Sequence, residues 1–205
     1  MFDRRLRSLM DPSLTIMGRA LARAGVTADA LTLTGLGAGL FGCALIGLGL
    51  PGLMALLPMA LGRLADGLDG AVARDTARTD FGGFADIVAD FAFYGAVPLA
   101  FAFRDPARNA LPAAVLLLAF YINGASFLAF ATLAAKRGLE TSAQGEKSLY
   151  FSAGLMEGGE TLAFFVAFCL WPQIFPPLAV IFALLCLVTT VGRVRAAARR
   201  FRAPN

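Results

Sequence analysis

The sequence contains no histidine, which removes an imidazole base, a histidine-bound zinc and a Ser-His-Asp triad from the chemistry open to it. Cysteine is nearly as scarce. The three cysteines, Cys43, Cys169 and Cys186, stand singly inside apolar runs without paired spacing, which argues against a disulfide framework or a thiolate metal site and for a packing role. Charge is sparse as well, at 16% of residues, so any acid-base or metal chemistry falls to a small set of carboxylates. What the chain has in excess is hydrocarbon. With 58% hydrophobic residues among 205 and a mean hydropathy of +0.71, it lies outside the range of water-soluble domains and reads as an all-α integral membrane protein. The net charge of +4 does not point to nucleic acid, because most arginines flank hydrophobic segments, where topology and anionic lipid account for them.

Residues 1–24 hold no apolar run long enough for a signal peptide and carry Arg4, Arg5, Arg7, Arg19 and Arg23, which keeps them on the cytoplasmic side. Phe2, Leu6, Leu9, Met10, Leu14, Met17 and Leu21 recur mostly every three or four residues, the pattern of an interfacial amphipathic helix. Asp11 and Pro12 fit an N-cap and a first helical residue, so two short helices broken there are expected. A basic pre-membrane tail without that helix is the simpler alternative. Residues 25–205 form the transmembrane domain, with a basic cytoplasmic tail. Six stretches approach the roughly 20 residues that span a bilayer: Ala30–Leu50, Gly52–Arg74, Gly82–Phe103, Ala110–Ala135, Leu149–Trp171 and Ile174–Gly192. Pro51, Pro106, Pro112, Pro172, Pro176 and Pro177 mark loops or span beginnings. Of the 18 basic residues, only Arg104 and Arg108 fall in loops that would face outward, so both termini are expected in the cytoplasm.

Ionisable residues inside a span are expensive and usually functional, and this chain gathers four in one place. Asp66 and Asp69 are three residues apart, Asp86 and Asp90 four apart, so each pair projects from one face of its helix. In a tight helical hairpin the pairs meet at similar depth, roughly 6 to 12 Å inside the cytoplasmic boundary at 1.5 Å per residue. Four carboxylates crowded together repel one another unless cations cancel their charge. Two divalent ions would do so. Oxygen-only ligation favours Mg²⁺ or Mn²⁺, with Ca²⁺ less suited, and a two-metal carboxylate site suits displacement at phosphorus. The local alternative is that these acids cap helices or pair with Arg63, Arg74 and Arg78. Gly67, Gly70 and Gly82 let a ligand approach the backbone, and Arg74, one turn beyond Gly70, can meet a pyrophosphate oxygen. Gly35, Gly39, Gly42 and Gly47 read as helix-packing residues.

The run Asp66-x2-Asp69-Gly70-x2-Ala73-Arg74-x7-Gly82-x3-Asp86-x3-Asp90 resembles the signature of the CDP-alcohol phosphatidyltransferase family, with seven residues between Arg74 and Gly82 where eight are usual. The resemblance covers nearly the whole chain, which is similar to a bacterial inner-membrane branch of the family. It implies an interfacial helix, six membrane helices, a cytoplasmic-facing site and a homodimer. It further implies that Asp66, Asp69 and Asp86 hold the metals, and that Asp90 completes the second metal site and serves as general base. Gly70, Arg74 and Gly82 would line the nucleotide and pyrophosphate pocket. The family's Thr-Pro-Asn-x-x-Thr element is matched by Thr27-Ala28-Asp29-Ala30-Leu31-Thr32 at its threonines, which makes Thr32 a candidate nucleotide contact. The implied reaction moves a phosphatidyl group from a CDP-diacylglycerol-like donor lipid to a small alcohol acceptor and releases CMP.

A second cluster, Lys147, Glu157, Glu160 and Arg193, bears on the acceptor. Two glutamates inside a span call for an explanation, and Glu157 falls at the same expected depth as Asp90. These acids could bind a polyol or amino-alcohol, or pair structurally; the two cations could bind an acceptor phosphate, or only mark the membrane boundary. A divalent-cation transporter would place its acids nearer the bilayer midplane, and a polyprenyl-diphosphate transferase lacks the Gly-x2-Ala-Arg element between its acids. Both remain as alternatives.

Overall fold

The computed structural model describes residues 2–138 and 158–202, with side chains described from residue 11, and every regular element among them is helical. The helices are α1 (Phe2–Arg23), α2 (Ala28–Gly47), α3 (Gly52–Asp75), α4 (Asp80–Arg104), α5 (Pro106–Lys136), α6 (Gly158–Leu170) and α7 (Phe175–Phe201), with a 3₁₀ turn at Pro172–Ile174 before α7. Short polar side chains begin several of them by accepting otherwise unpaired first-turn N–H groups. Thr27 Oγ1 accepts from Ala30 N at 3.2 Å, Thr79 Oγ1 from Gly82 N at 2.9 Å, and Asp105 Oδ1 from Arg108 N at 3.2 Å.

Among the described residues four helices are long and apolar enough to cross a bilayer: Ala28–Gly47, Asp80–Arg104, Pro106–Lys136 and Pro172–Phe201. Helix α3 has 24 residues, ample for the same distance, but carries the acids and Arg63. Of the expected span Leu149–Trp171, only Gly158–Leu170 is described as helix; Lys147 and Glu157 lie outside the described residues.

Three expectations are corrected. Helix α1 runs unbroken through Pro12, where a break was expected, because a proline forfeits one hydrogen bond and an exposed helix can leave the freed carbonyl to solvent. Pro112 sits inside α5 rather than at its beginning. Helix α7 continues nine residues past Gly192 to Phe201, since the run of alanines and arginines there has high helix propensity.

Helix α2 packs against α3 and α4, α5 against α4 and α7, and α1 lies on α3 and α6. A close crossing joins α2 to α3: a β-carbon on Gly62 would stand 2.6 Å from the Gly35 carbonyl oxygen, and one on Gly35 2.9 Å from that of Gly62. Backbone meets backbone there, which brings the first span against the acid-bearing helix. The core is rich in phenylalanine, with Phe101 stacked on Phe175 at 4.5 Å between ring centroids and Phe164 on Phe182 at 4.4 Å. The outside is as hydrocarbon as the inside: Leu33, Leu57 and Leu111 are more than 60% exposed, the surface expected where lipid tails are the solvent. Arg104 and Arg108 donate to the carbonyls of Leu50 (2.6 Å) and Gln173 (3.4 Å), tying three loops together at the end of the bundle opposite the acids.

Candidate metal centre

Helices α3 and α4 are joined by four residues, 76–79. The tight hairpin expected from the sequence is not formed: α2 packs against both α3 and α4, and the acids of the two helices meet through their side chains across the space beside it. Thr79 ends the turn and caps α4 through Gly82 N. The side chain of Asp29, from the first turn of α2, closes over the same place, 3.3 Å from where a β-carbon on Gly82 would stand. The seven-residue spacing from Arg74 to Gly82 is thus taken up by a compact capped turn.

Asp66, Asp69 and Asp86 each bring a carboxylate oxygen to within 4.8 Å of the others. Around an octahedral ion with bonds of about 2.1 Å, ligand oxygens stand roughly 3 to 4.2 Å apart, so small side-chain rotations suffice and this donor set fits a hard divalent cation. Among the described residues no other group of three such side chains comes together.

The acids are held by neighbours. Asp69 is buried and its Oδ2 accepts from Thr32 Oγ1 at 2.6 Å, a bond from α2 to α3 made possible by the glycine crossing one turn away. Arg63 Nη2 donates to Asp66 Oδ2 and Arg63 Nη1 to Asp90 Oδ1, the latter at 2.8 Å. The guanidinium carbon lies 5.6 Å from the centre of the Phe93 ring and 5.7 Å from that of Tyr94, within cation-π range of both. Asp90 therefore reaches the other acids through Arg63, and the arginine pairing weighed as a local alternative stands beside the convergence of Asp66, Asp69 and Asp86. The Arg74 guanidinium lies over Gly70, 3.6 Å from where a β-carbon would stand, and is exposed. A shallow cavity lined by Thr32, Gly35, Arg63, Asp66 and Phe93 opens beside the acids.

Of the second cluster, Arg193 is buried in α7 and its Nη1 lies 2.9 Å from Asn123 O, 2.8 Å from Asn123 Oδ1 and 2.7 Å from Ser126 Oγ, which bind it to α5. Glu160 is half-buried in the first described turn of α6. Sequence reasoning named Thr32 for another purpose and missed its bond to Asp69. Arg63 was considered only as a charge partner; its place inside an apolar helix, three residues before Asp66 on the same face, was the available signal.

The model of the CDP-alcohol phosphatidyltransferase family matches residues 26–192. A curated relative, the Escherichia coli inner membrane protein YnjF, is 46% identical over 194 residues, covering 95% of this chain and 94% of its own. Two crystal structures of the Mycobacterium tuberculosis phosphatidylinositol phosphate synthase PgsA1 share the fold. The one with CDP-DAG bound is 23% identical with a TM-score of 0.69, covering 90% of this chain and 93% of that one. The one in complex with manganese and citrate is 22% identical with a TM-score of 0.70, covering 94% and 90%.

Proposed function

The chain belongs to the CDP-alcohol phosphatidyltransferase family, and from that premise we propose that it transfers the phosphatidyl group of a CDP-linked lipid such as CDP-diacylglycerol to an alcohol, with release of CMP. The observation that carries this reading is the meeting of Asp66, Asp69 and Asp86 within 4.8 Å on the family's own motif. Mg²⁺ or Mn²⁺ ions held by Asp66, Asp69, Asp86 and Asp90 would supply positive charge to the donor's pyrophosphate and to the departing phosphate of CMP. Thr32 orients Asp69 through its hydroxyl, and Gly70, Arg74 and Gly82 form the edge on which the pyrophosphate and nucleotide rest. Arg74 suits that role because it is exposed beside a residue without a side chain and can offer charge-assisted donors to phosphate. Asp90 accepts the acceptor's hydroxyl proton on its carboxylate as the alcohol oxygen bonds to phosphorus and the phosphorus–oxygen bond to CMP breaks. Its Oδ1 is engaged by Arg63, which leaves Oδ2 for the proton.

In this reading all six expected spans cross the membrane, residues 1–24 lie at the cytoplasmic interface, both termini are cytoplasmic, residues 25–205 form the catalytic domain, and the working unit is a homodimer. A bacterial inner-membrane location is supported by the E. coli relative, by the four long apolar helices and by the concentration of arginine at one end of the bundle. The donor's acyl chains need lipid and its cytidine needs water, and a site near the end of a bundle gives access to both. Glu160 and Arg193, with Lys147 and Glu157, are assigned to the acceptor side.

Purified protein incubated with CDP-diacylglycerol, Mg²⁺ or Mn²⁺ and a panel of alcohols should release CMP with at least one alcohol. Metal uptake without CMP release from any alcohol would favour cation transport and overturn the proposal.

A further inference from the structure

We propose that Arg63 is a resident cation of the site: its guanidinium stands between Asp66 and Asp90, so a second divalent ion held by those acids would meet a like charge, and the protein binds its two ions unequally. This rests on the metal reading of the acids given above. The two guanidinium nitrogens are divided between carboxylates of different helices, Nη2 with Asp66 of α3 and Nη1 with Asp90 of α4, and do not clasp either one bidentately. Phe93 and Tyr94 bracket the same group, and only 20% of the side chain is exposed. Its position is therefore fixed from both helices.

Charge arithmetic separates the two ions. Four aspartates and Arg63 sum to −3; one divalent ion brings this to −1, and a second with Arg63 still in place brings it to +1. The first ion finds three protein oxygens in Asp66, Asp69 and Asp86, and Asp66, with two oxygens, can serve both that ion and Arg63. The second ion needs Asp90, whose Oδ1 already accepts from Arg63, and gains it only by standing against the guanidinium's like charge or driving that charge aside. Arg63 is thus a positioning residue that keeps Asp90 apart from the first ion and makes occupancy of the second position work against its own charge.

Metal-stripped protein titrated with Mn²⁺, followed by the electron paramagnetic resonance of free Mn²⁺, tests this without reference to turnover. Wild type should take up one ion tightly and a second at least 10-fold more weakly. Arg63→Gln should bring the two affinities within about threefold by tightening the second. Arg63→Lys retains charge but spans less distance; it should tighten the second ion by about threefold, and it carries the test if Arg63→Gln does not fold. Two equally tight ions in wild type, or a ratio unchanged in the variants, would overturn the role of Arg63. Wild-type Mn²⁺ uptake that is unaffected by Asp69→Asn would instead overturn the metal reading, and this inference with it.

Discussion

Replacing Thr32 with valine removes one hydroxyl and little else, since the two side chains have nearly the same shape and both are β-branched. Thr32 is 6% exposed, so water does not readily take the place of the lost group. Its oxygen lies 2.6 Å from Asp69 Oδ2 and 3.2 Å from Ala28 O. A hydroxyl has one hydrogen, and the shorter, charge-assisted contact takes it. A hydrogen bond to a charged group contributes about 1.5–3 kcal/mol, equivalent to roughly 10- to 100-fold in an equilibrium constant. Loss of a partner that orients a metal ligand typically costs a similar 10- to 100-fold in affinity. Both routes predict that Thr32→Val weakens Mn²⁺ binding at the first position by at least 10-fold, with turnover falling in parallel at fixed metal and recovering partly as metal is raised. Mn²⁺ titration and CMP release on the same preparation measure the two. Affinity and turnover within twofold of wild type would refute the argument. An unchanged Mn²⁺ affinity with a raised KM for the CDP-lipid would show instead that Thr32 serves the nucleotide.

Asp66→Asn, Asp69→Asn and Asp86→Asn should each abolish turnover and reduce Mn²⁺ uptake, because an amide offers no charge to balance the cation; full activity after exhaustive chelation would contradict this. Asp90→Asn should leave CDP-lipid binding measurable by equilibrium dialysis while stopping CMP release, since Asp66, Asp69 and Asp86 remain to hold metal for the donor while the proton acceptor is lost. Gly62→Ala would press a methyl group against the Gly35 carbonyl at 2.6 Å and the Gly39 nitrogen at 3.0 Å. Backbone cannot yield as a side-chain tip does, so a loss of about 1–3 kcal/mol and a fall of several degrees in thermal unfolding in detergent are expected, and an unchanged Tm would show that α2 and α3 can separate without cost.

Local and non-local properties of this chain divide along a physical line. Hydropathy and its interruptions are local properties, and they gave the all-helical class, the approximate bounds of five helices and the location of the acids, because lipid leaves the backbone few alternatives to the helix. Spacing gave which acids share a face: the Asp66 and Asp69 interval is a property of helical geometry alone. Local pattern was less reliable at helix ends and at prolines. Whether Pro12 breaks a helix depends on where the freed carbonyl goes, and whether α7 stops at Gly192 depends on propensity beyond the apolar run.

Tertiary structure decided what joins the helices. That Asp66, Asp69 and Asp86 converge while Asp90 turns to Arg63 depends on how α3 and α4 rotate about their axes, which a one-dimensional pattern leaves open. That Thr32 reaches Asp69 across 37 positions of sequence depends on two glycine-bearing helices meeting backbone to backbone. The sequence by itself determined that the protein is helical, membrane-embedded and armed with carboxylates at one end, because burial, periodicity and charge are written residue by residue. Only the folded chain decided which carboxylate stands with which partner, because a hydrogen bond is a matter of a few tenths of an ångström between atoms that the sequence places far apart.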